Sequence, residues 1–298
     1  MPYYSDPAIN YKNALNHYFR GIQGKEDEAS LASGRVYEKH FYKLPNGAYD
    51  LLARNNLFRR LGTVHQRLNS TIVLHMLKSL QASVEKVKIG EAYSTEPIRE
   101  SNQSIEAHKL GTILLVNRDT VLDMTFDINV YLSSELAKQF GQKEEELCLY
   151  GTGQGEPRGL LTQAEVGAVA RELTIDSLKQ LYLSLQPEYR HHGTWIMSDE
   201  TKLLLHQLVD ENKQPILPYG AKELFGRPIE TSPYMSTTGK VIAFGDMSKY
   251  WLVDRHLLCV RALKEPYIME GRVGYQAMER IDGHLTHTDA VKVLELTD

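Results

Sequence analysis

The chain has 298 residues, 42% of them hydrophobic and 24% charged, and a formal net charge of -4 at neutral pH. Such a composition folds around a sizeable core, and the length suits two domains or one core with long extensions. Wholesale disorder is excluded, and so is the concentrated basic field with which a protein neutralises nucleic-acid phosphates.

The start, Met1-Pro2-Tyr3-Tyr4-Ser5-Asp6, lacks the basic patch and apolar core of an export signal. The first 40 residues are polar and mixed, with a short helix expected around Tyr11–Arg20 and a charged run Gly24-Lys25-Glu26-Asp27-Glu28-Ala29-Ser30; they read as an arm outside the core. From Leu51 to Leu80 apolar residues return. Leu61–Gln66 and Thr71–Leu77 read as strands, with Arg67-Leu68-Asn69-Ser70 as a hairpin turn between them. A polar connection over Glu91–Lys109 leads to Gly111–Val116, short and rich in branched residues, hence a buried strand. No stretch approaches the roughly 18 apolar residues of a membrane span.

Asp127–Tyr150 is the clearest helix. Leu132, Leu136 and Phe140 recur every fourth residue, Asp127 is placed to cap the start and Gly151 to end it. At 1.5 Å per residue it reaches roughly 33 Å. Leu173 to about Met235 reads as a small α/β region: a helix over Ile175–Leu185, a strand at Thr194–Met197, and Ser198 capping a helix through Val209. The last stretch is mainly strand, at Lys240–Phe244, Tyr250–Asp254, Leu258–Leu263 and Ala290–Leu296. The fold class is α+β, without an internal repeat.

Few residues suggest chemistry. Leu149-Tyr150-Gly151-Thr152-Gly153-Gln154-Gly155-Glu156-Pro157-Arg158-Gly159-Leu160-Leu161 is glycine-rich, yet lacks the Gly-Lys-Ser/Thr of a phosphate loop and the Gly-x-Gly-x-x-Gly spacing of a dinucleotide turn. It reads as a structural turn built on Gly151, Gly153, Gly155, Pro157 and Gly159, since glycine reaches positive φ without steric cost. A nucleotide-dependent enzyme remains the rival for this loop, to be decided by a nucleotide titration. His191 and His192, and His284 and His287 with Asp282 and Asp289, fall short of a metal-ligand set. Cys148 and Cys259 each sit in an apolar stretch and read as free buried thiols, as in a reducing cytosol. Lys143-Glu144-Glu145-Glu146 reads as a solvated helix face or a subunit contact, because consecutive helical residues point different ways. No serine elbow or cysteine dyad is present. Neither enzymatic activity nor a cofactor nor a metal is expected.

Taken in order, a long helix over Asn129–Tyr150 running into Gly151-Thr152-Gly153-Gln154-Gly155-Glu156-Pro157-Arg158-Gly159-Leu160-Leu161 resembles the spine helix and following turn of Hong Kong 97-type phage major capsid proteins. The likeness continues through Trp195-Ile196-Met197, Leu217-Pro218, Leu224-Phe225-Gly226-Arg227-Pro228-Ile229, Phe244-Gly245-Asp246 through Arg255, and Arg280-Ile281-Asp282-Gly283. It covers roughly residues 40 to 298, and Tyr11–Gly21 resembles a segment just ahead of that region. The resemblance implies an N-terminal arm (1–40), a discontinuous peripheral domain with the spine helix on a sheet (41–61, 96–162 and 266–298), an extended loop (62–95) and an axial α/β domain (163–265). It further implies a virion shell protein assembled in the bacterial cytoplasm, which makes pentamers and hexamers with copies of itself. Its other partners would be a scaffold protein or maturation protease and a portal, and it would enclose double-stranded DNA without sequence-specific binding. An encapsulin, the same shell around a cargo enzyme, is the alternative; a cargo-docking peptide in a neighbouring gene would favour it.

Two departures from the family stand out. Some members join a loop lysine to an asparagine of the next subunit. Lys86 and Lys88 lie near the loop here, but Lys264-Glu265-Pro266-Tyr267-Ile268-Met269-Glu270-Gly271-Arg272-Val273-Gly274-Tyr275 contains no asparagine, so no such isopeptide bond is expected. Many members also begin with a long helical scaffold segment, whereas only about 40 residues precede the shared region here. Scaffolding then comes from a separate protein, or the chain is already shortened.

Overall fold

A computed structural model of the chain describes residues 7–35, 41–45, 47–66, 72–77, 100–123, 125–209 and 214–297. Two compact units result, one of residues 1–68 with 107–298 and one of residues 69–106.

The larger unit begins with helices α1 (Pro7–Arg20) and α2 (Lys25–Ala32). They are not the expected arm. Ala14, Leu15, Tyr18 and Phe19, spaced to share one helical face, are buried with Leu31 in the same core as the long helix. Arg20 donates to the carbonyls of Val121, Asp123 and Phe126, and Tyr275 Oη donates to Phe19 O at 3.0 Å. Polar composition hid this, because only one stripe of each helix is apolar. Strand β1 (Tyr42–Lys43) and helices α3 (Gly47–Arg54) and α4 (Leu57–Leu61) follow, then β2 (Thr63–Gln66).

Strands β3 (Ile72–Leu77) and β4 (Glu100–Ile105) form the smaller unit's two-stranded antiparallel sheet, with Ile72 opposite Ile105 and Leu77 opposite Glu100. The expected β2–β3 hairpin does not form, since β2 pairs in parallel with a late strand of the chain. Hydrophobic alternation identifies strands but not partners. The supposed turn at 67–70 and most of the expected extended loop, with Lys86 and Lys88, lie outside the described residues.

The chain continues through β5 (His108–Asn117), α5 (Arg118–Leu122), the long helix α6 (Ile128–Tyr150) and α7 (Leu160–Gln163). Next come β6 (Glu165–Ala170), α8 (Ile175–Ser184), α9 (Pro187–Arg190), β7 (Thr194–Met197), α10 (Asp199–Gln207), β8 (Glu223–Leu224), β9 (Arg227–Thr231) and β10 (Gly239–Gly245), then β11 (Tyr250–Leu263), β12 (Arg272–Leu285) and β13 (Val291–Leu296). The expected caps are present: Asp127 accepts from the amides of Asn129 and Val130, Thr174 from Ser177, and Ser198 from Thr201. The helix expected to run through Val209 ends at Gln207, and Val209 instead bridges Pro215.

One sheet has the order β1-β11-β12-β5 with β2 also on β11; the other has the order β6-β13-β10-β7-β9-β8. Tyr250–Asp254 and Leu258–Leu263, expected as two strands, are one strand whose register slips between Asp254 and His256 and again between His256 and Cys259. Its partner β12 was not anticipated, although the alternation of Val273, Tyr275 and Ala277, all in the core, is the signal for it.

Pairing also crosses the expected limit at 265/266. β11, expected in the axial domain, belongs to the five-stranded sheet, because only the short segment 264–271 separates it from its antiparallel partner β12. β13, expected in the peripheral domain, lies in the six-stranded sheet between β10 and β6. Residues 63–66 of the expected loop likewise belong to the five-stranded sheet.

The core divides accordingly. α1, α3 and the first half of α6 pack on β11, β12 and β5. α8, Trp195, Phe244 and Leu294 fill the interior against the six-stranded sheet, where the Trp195 and Phe244 rings stack 4.0 Å apart. Between these, the end of α6, α7, Phe58, Tyr250 and Val293 form a third cluster.

The packing of α1 is testable. Phe19→Ala is expected to cost about 3–5 kcal/mol of subunit stability, read as a lower urea midpoint; an unchanged midpoint would mean that residues 7–35 are a detached arm after all.

Candidate functional site: the spine helix and its anchorages

Helix α6 buries Ile128, Leu132, Leu136, Ala137 and Phe140 at helical spacing. Gly141 lets α3 come close: a Cβ there would lie 2.9 Å from Asn55 Cβ and 3.1 Å from Leu52 O. Past this point the helix is covered on more than one side. Glu144 and Glu145 are both buried, so the reading of 143–146 as a solvated face or a subunit contact fails for its two middle residues, while Lys143 and Glu146 pair with each other half exposed. That reading held that neighbouring carboxylates point apart. They do, but for Glu144 and Glu145 each direction meets protein.

Glu144 meets Arg59 of α4, whose side chain is only 5% exposed. Arg59 Nε donates to Glu144 Oε2 at 2.6 Å and Nη2 to Oε1 at 2.5 Å, while Nη1 and Nη2 donate to Asp254 Oδ2 and Oδ1 at 2.9 and 2.8 Å. The guanidinium thus forms two bidentate pairs, one with the helix and one with β11. Asn56 caps α4 by accepting from the amides of Phe58 and Arg59, and its Nδ2 donates to Glu144 at 2.7 Å. Glu145 accepts from Leu57 N at 2.8 Å and from Ser232 Oγ at 2.6 Å. Glu279 of β12, 1% exposed, completes the group. Desolvation first, and Glu144 next, hold its carboxyl well above the usual range. Burial also raises Asp254, against the lowering effect of Arg59. Nothing local in the sequence marks these residues as partners, since 195 positions separate Arg59 from Asp254.

The glycine-rich turn is the second anchorage. Gly151 N donates to Leu147 O and Gly159 N to Gly151 O, both at 2.8 Å. A Cβ on Gly151 would sit 2.0 Å from Pro157 O, and one on Gly159 2.5 Å from Leu149 O, so backbone runs against backbone. Gly153 and Gly155 adopt φ of +77° and +76°. Thr152 bridges Arg158 across the turn. Glu156 accepts from Thr152 N and Oγ1, each at 2.9 Å, and these bonds lower its carboxyl pKa. Gln154 N donates to Thr152 Oγ1 and Arg158 N to Gly283 O. The amides of Thr152, Gln154, Arg158 and Gly159 are therefore engaged, and a carboxylate fills the turn where a phosphate cradle needs free donors. Tyr250 Oη donates to Arg158 O at 2.9 Å, binding the turn to β11.

The remaining sequence candidates are not brought together. Among the described residues no three His, Cys, Asp or Glu side chains are placed to hold a metal ion. Burial and the Arg158 charge push His284 down to about 4. Both cysteines are buried free thiols; burial pushes Cys259 up to about 12 and raises Cys148 as well. Such thiols are poor nucleophiles.

The family model described as the phage capsid family matches residues 46–296. Among solved structures, the capsid of a native GTA particle is similar with a TM-score of 0.68 at 19% identity, covering 89% of this chain and 95% of that one. A chain from Microbacterium phage Oxtober96 gives 0.64 at 18%, covering 82% and 91%. The satellite phage P4 procapsid, with its size determination (Sid) protein, gives 0.55 at 12%, covering 84% and 98%. No curated protein matches the chain.

Both anchorages yield expectations for urea unfolding. Arg59→Met leaves Glu144 and Asp254 buried without their cation and is expected to cost about 3–5 kcal/mol. Gly155→Ala, which meets open space, should cost only the left-handed strain of about 1–2 kcal/mol. Gly151→Ala should cost several times more, and the reverse order would show that the close approach at Gly151 is not what holds the turn.

Proposed function

Because the chain belongs to the phage capsid family and has the Hong Kong 97-type α+β fold, we propose that this capsid shell protein assembles as pentamers and hexamers into an icosahedral head enclosing double-stranded DNA. The match across residues 46–296 carries the reading. The proteins matched are structural capsid proteins, components of virions. Among the described residues no helix is long and apolar enough to cross a membrane.

A closed shell places one chain in rings of different order, so its contacts are heterologous and must adapt slightly. In the proposed division of labour, the axial region after the glycine-rich turn closes the rings. Residues 69–106 and the first residues of the chain tie neighbouring subunits together, adding buried area that a compact body lacks. With a net charge of -4, the shell holds DNA by enclosure, without reading its sequence. Assembly takes place in the bacterial cytoplasm with a separate scaffold or a maturation protease, and a portal completes the head. The encapsulin alternative puts a cargo protein inside the same shell.

Electron microscopy of the protein, expressed alone and with the adjacent phage genes, is expected to show closed hollow shells or capsomer rings. Monomers or dimers under every condition would overturn the proposal, and shells holding a protein cargo instead of DNA would turn it into the encapsulin reading. Denatured shells should run as single subunits on a gel, because 264–275 has no asparagine to accept a lysine; a ladder of covalent multimers would contradict this.

A further inference from the structure

Arg59, Glu144, Asp254 and Glu279 bring one guanidinium and three carboxyl groups together away from water, with side chains at 5% exposure or less for Arg59, Glu144 and Asp254 and Glu279 at 1%. Arg59 donates to Glu144 and to Asp254, and no bond from it to Glu279 is formed through Oε1, which has no hydrogen-bond partner. Were all four groups ionised, the cluster would hold one positive and three negative charges in a low-dielectric interior. Such an excess is relieved by a proton on one carboxyl.

The strand geometry selects which one. Met278 and Arg280 of β12 pair with Cys259 and His256 of β11, so Leu257 and Leu258 together oppose the single residue Glu279. This bulge, and the slip after Asp254, lie where both carboxyl groups join the cluster, and bulges commonly re-aim side chains. The groups facing Glu279 are Arg59 from α4, Glu144 from α6, Asp254 and Cys259 from β11, and Tyr49 from α3; its neighbour on β5 is Leu110. Tyr49 and Cys259 are both kept neutral by burial. Arg59 alone among them is a cation, and it already serves Glu144 and Asp254. Of the charged groups, Glu144 acts most strongly on Glu279, and two carboxyl groups set against each other away from water are relieved when one of them carries a proton.

We propose that Glu279 carries a proton shared with Glu144, and that this proton makes the anchorage of α4 and β2, where the chain passes into the 69–106 unit, loosen as pH rises. α4 is held to the spine helix through Arg59, Asn56 and Leu57, and β2 pairs with β11 at Trp251–Asp254, ending at the cluster's own Asp254. Ionising Glu279 sets it against Glu144 and Asp254 and competes with them for Arg59. The inference concerns the subunit itself and stands apart from the shell reading.

The sign follows from linkage. The folded state keeps a proton that an unfolded glutamate releases above its ordinary range, so stability falls with rising pH until the folded group also ionises. Glu279→Gln keeps the shape and a donor towards Glu144 but has nothing to titrate. Urea unfolding of purified wild type and Glu279→Gln at matched pH isolates this one group. Above the ordinary glutamate range the wild-type unfolding constant should rise with pH relative to the variant, with a slope of up to about tenfold per pH unit, the release of one proton on unfolding. Amide exchange over residues 57–66 should accelerate with pH in the wild type relative to the variant. Parallel stability profiles in the two proteins would overturn the proposal.

If Glu279→Gln does not fold, two readouts remain. The infrared spectrum of folded wild type at neutral pH should contain the carbonyl stretch of a buried protonated carboxyl, and a spectrum with ionised carboxylates only would overturn the proposal. Glu144→Gln, which removes the other partner of the shared proton, should flatten the same pH dependence; an unchanged slope would count against it.

Discussion

Arg59 cannot shed its charge at any pH the fold survives, so once its guanidinium lies inside, carboxylates must come to it. This constraint arranges much of the larger unit. Glu144 has to face α4, which sets the rotation of the spine helix about its own axis. Asp254 has to face it too, which sets the position of β11, and with β11 come its partners β12, β1 and β2. A buried pair of this kind adds little net stability over a well-packed apolar alternative, but it penalises every arrangement that leaves the cation unpaired. Its contribution is to single out one packing of helix, strand and loop.

The apolar stripe of α6 acts differently. Leu132, Leu136 and Phe140 lie on the five-stranded sheet with α1 and α3 around them, and burial of this kind is strong but tolerant of small slides along the axis. The slide is limited at the far end by the glycine-rich turn. There, Gly151 against Pro157 and Gly159 against Leu149 leave no room for a side chain, and Arg158 bonds to Gly283 and Tyr250. The long helix is therefore held by area along its length and by specific polar contacts near its end, and the chain leaves it in one direction for the six-stranded sheet.

Several of the polar residues that first suggest chemistry are engaged within the fold. Glu156 satisfies its own turn, Glu144 and Glu145 hold α4 and Ser232, and both thiols are buried.

Composition, caps and periodicity are legible in the chain itself: the α+β class, the long helix with Asp127 at its start, the glycine-rich turn at its end, the strand through Gly111–Val116 and the buried thiols all follow from residues within about ten positions of one another, whereas the burial expected of that strand fails, since Ile113 and Leu115 are exposed. The family likeness also lies in such local blocks. Tertiary structure alone decided what depends on distant partners. It placed β2 beside β11 and not β3, packed one face of α1 and Leu31 of the expected arm into the core, joined two expected strands into β11, moved β13 to the other sheet, and buried Glu144 against Arg59. The physical reason is that a sequence displays the period and polarity of a segment, whereas burial and charge pairing depend on what lies opposite, and the opposite residue here is often more than 80 positions away.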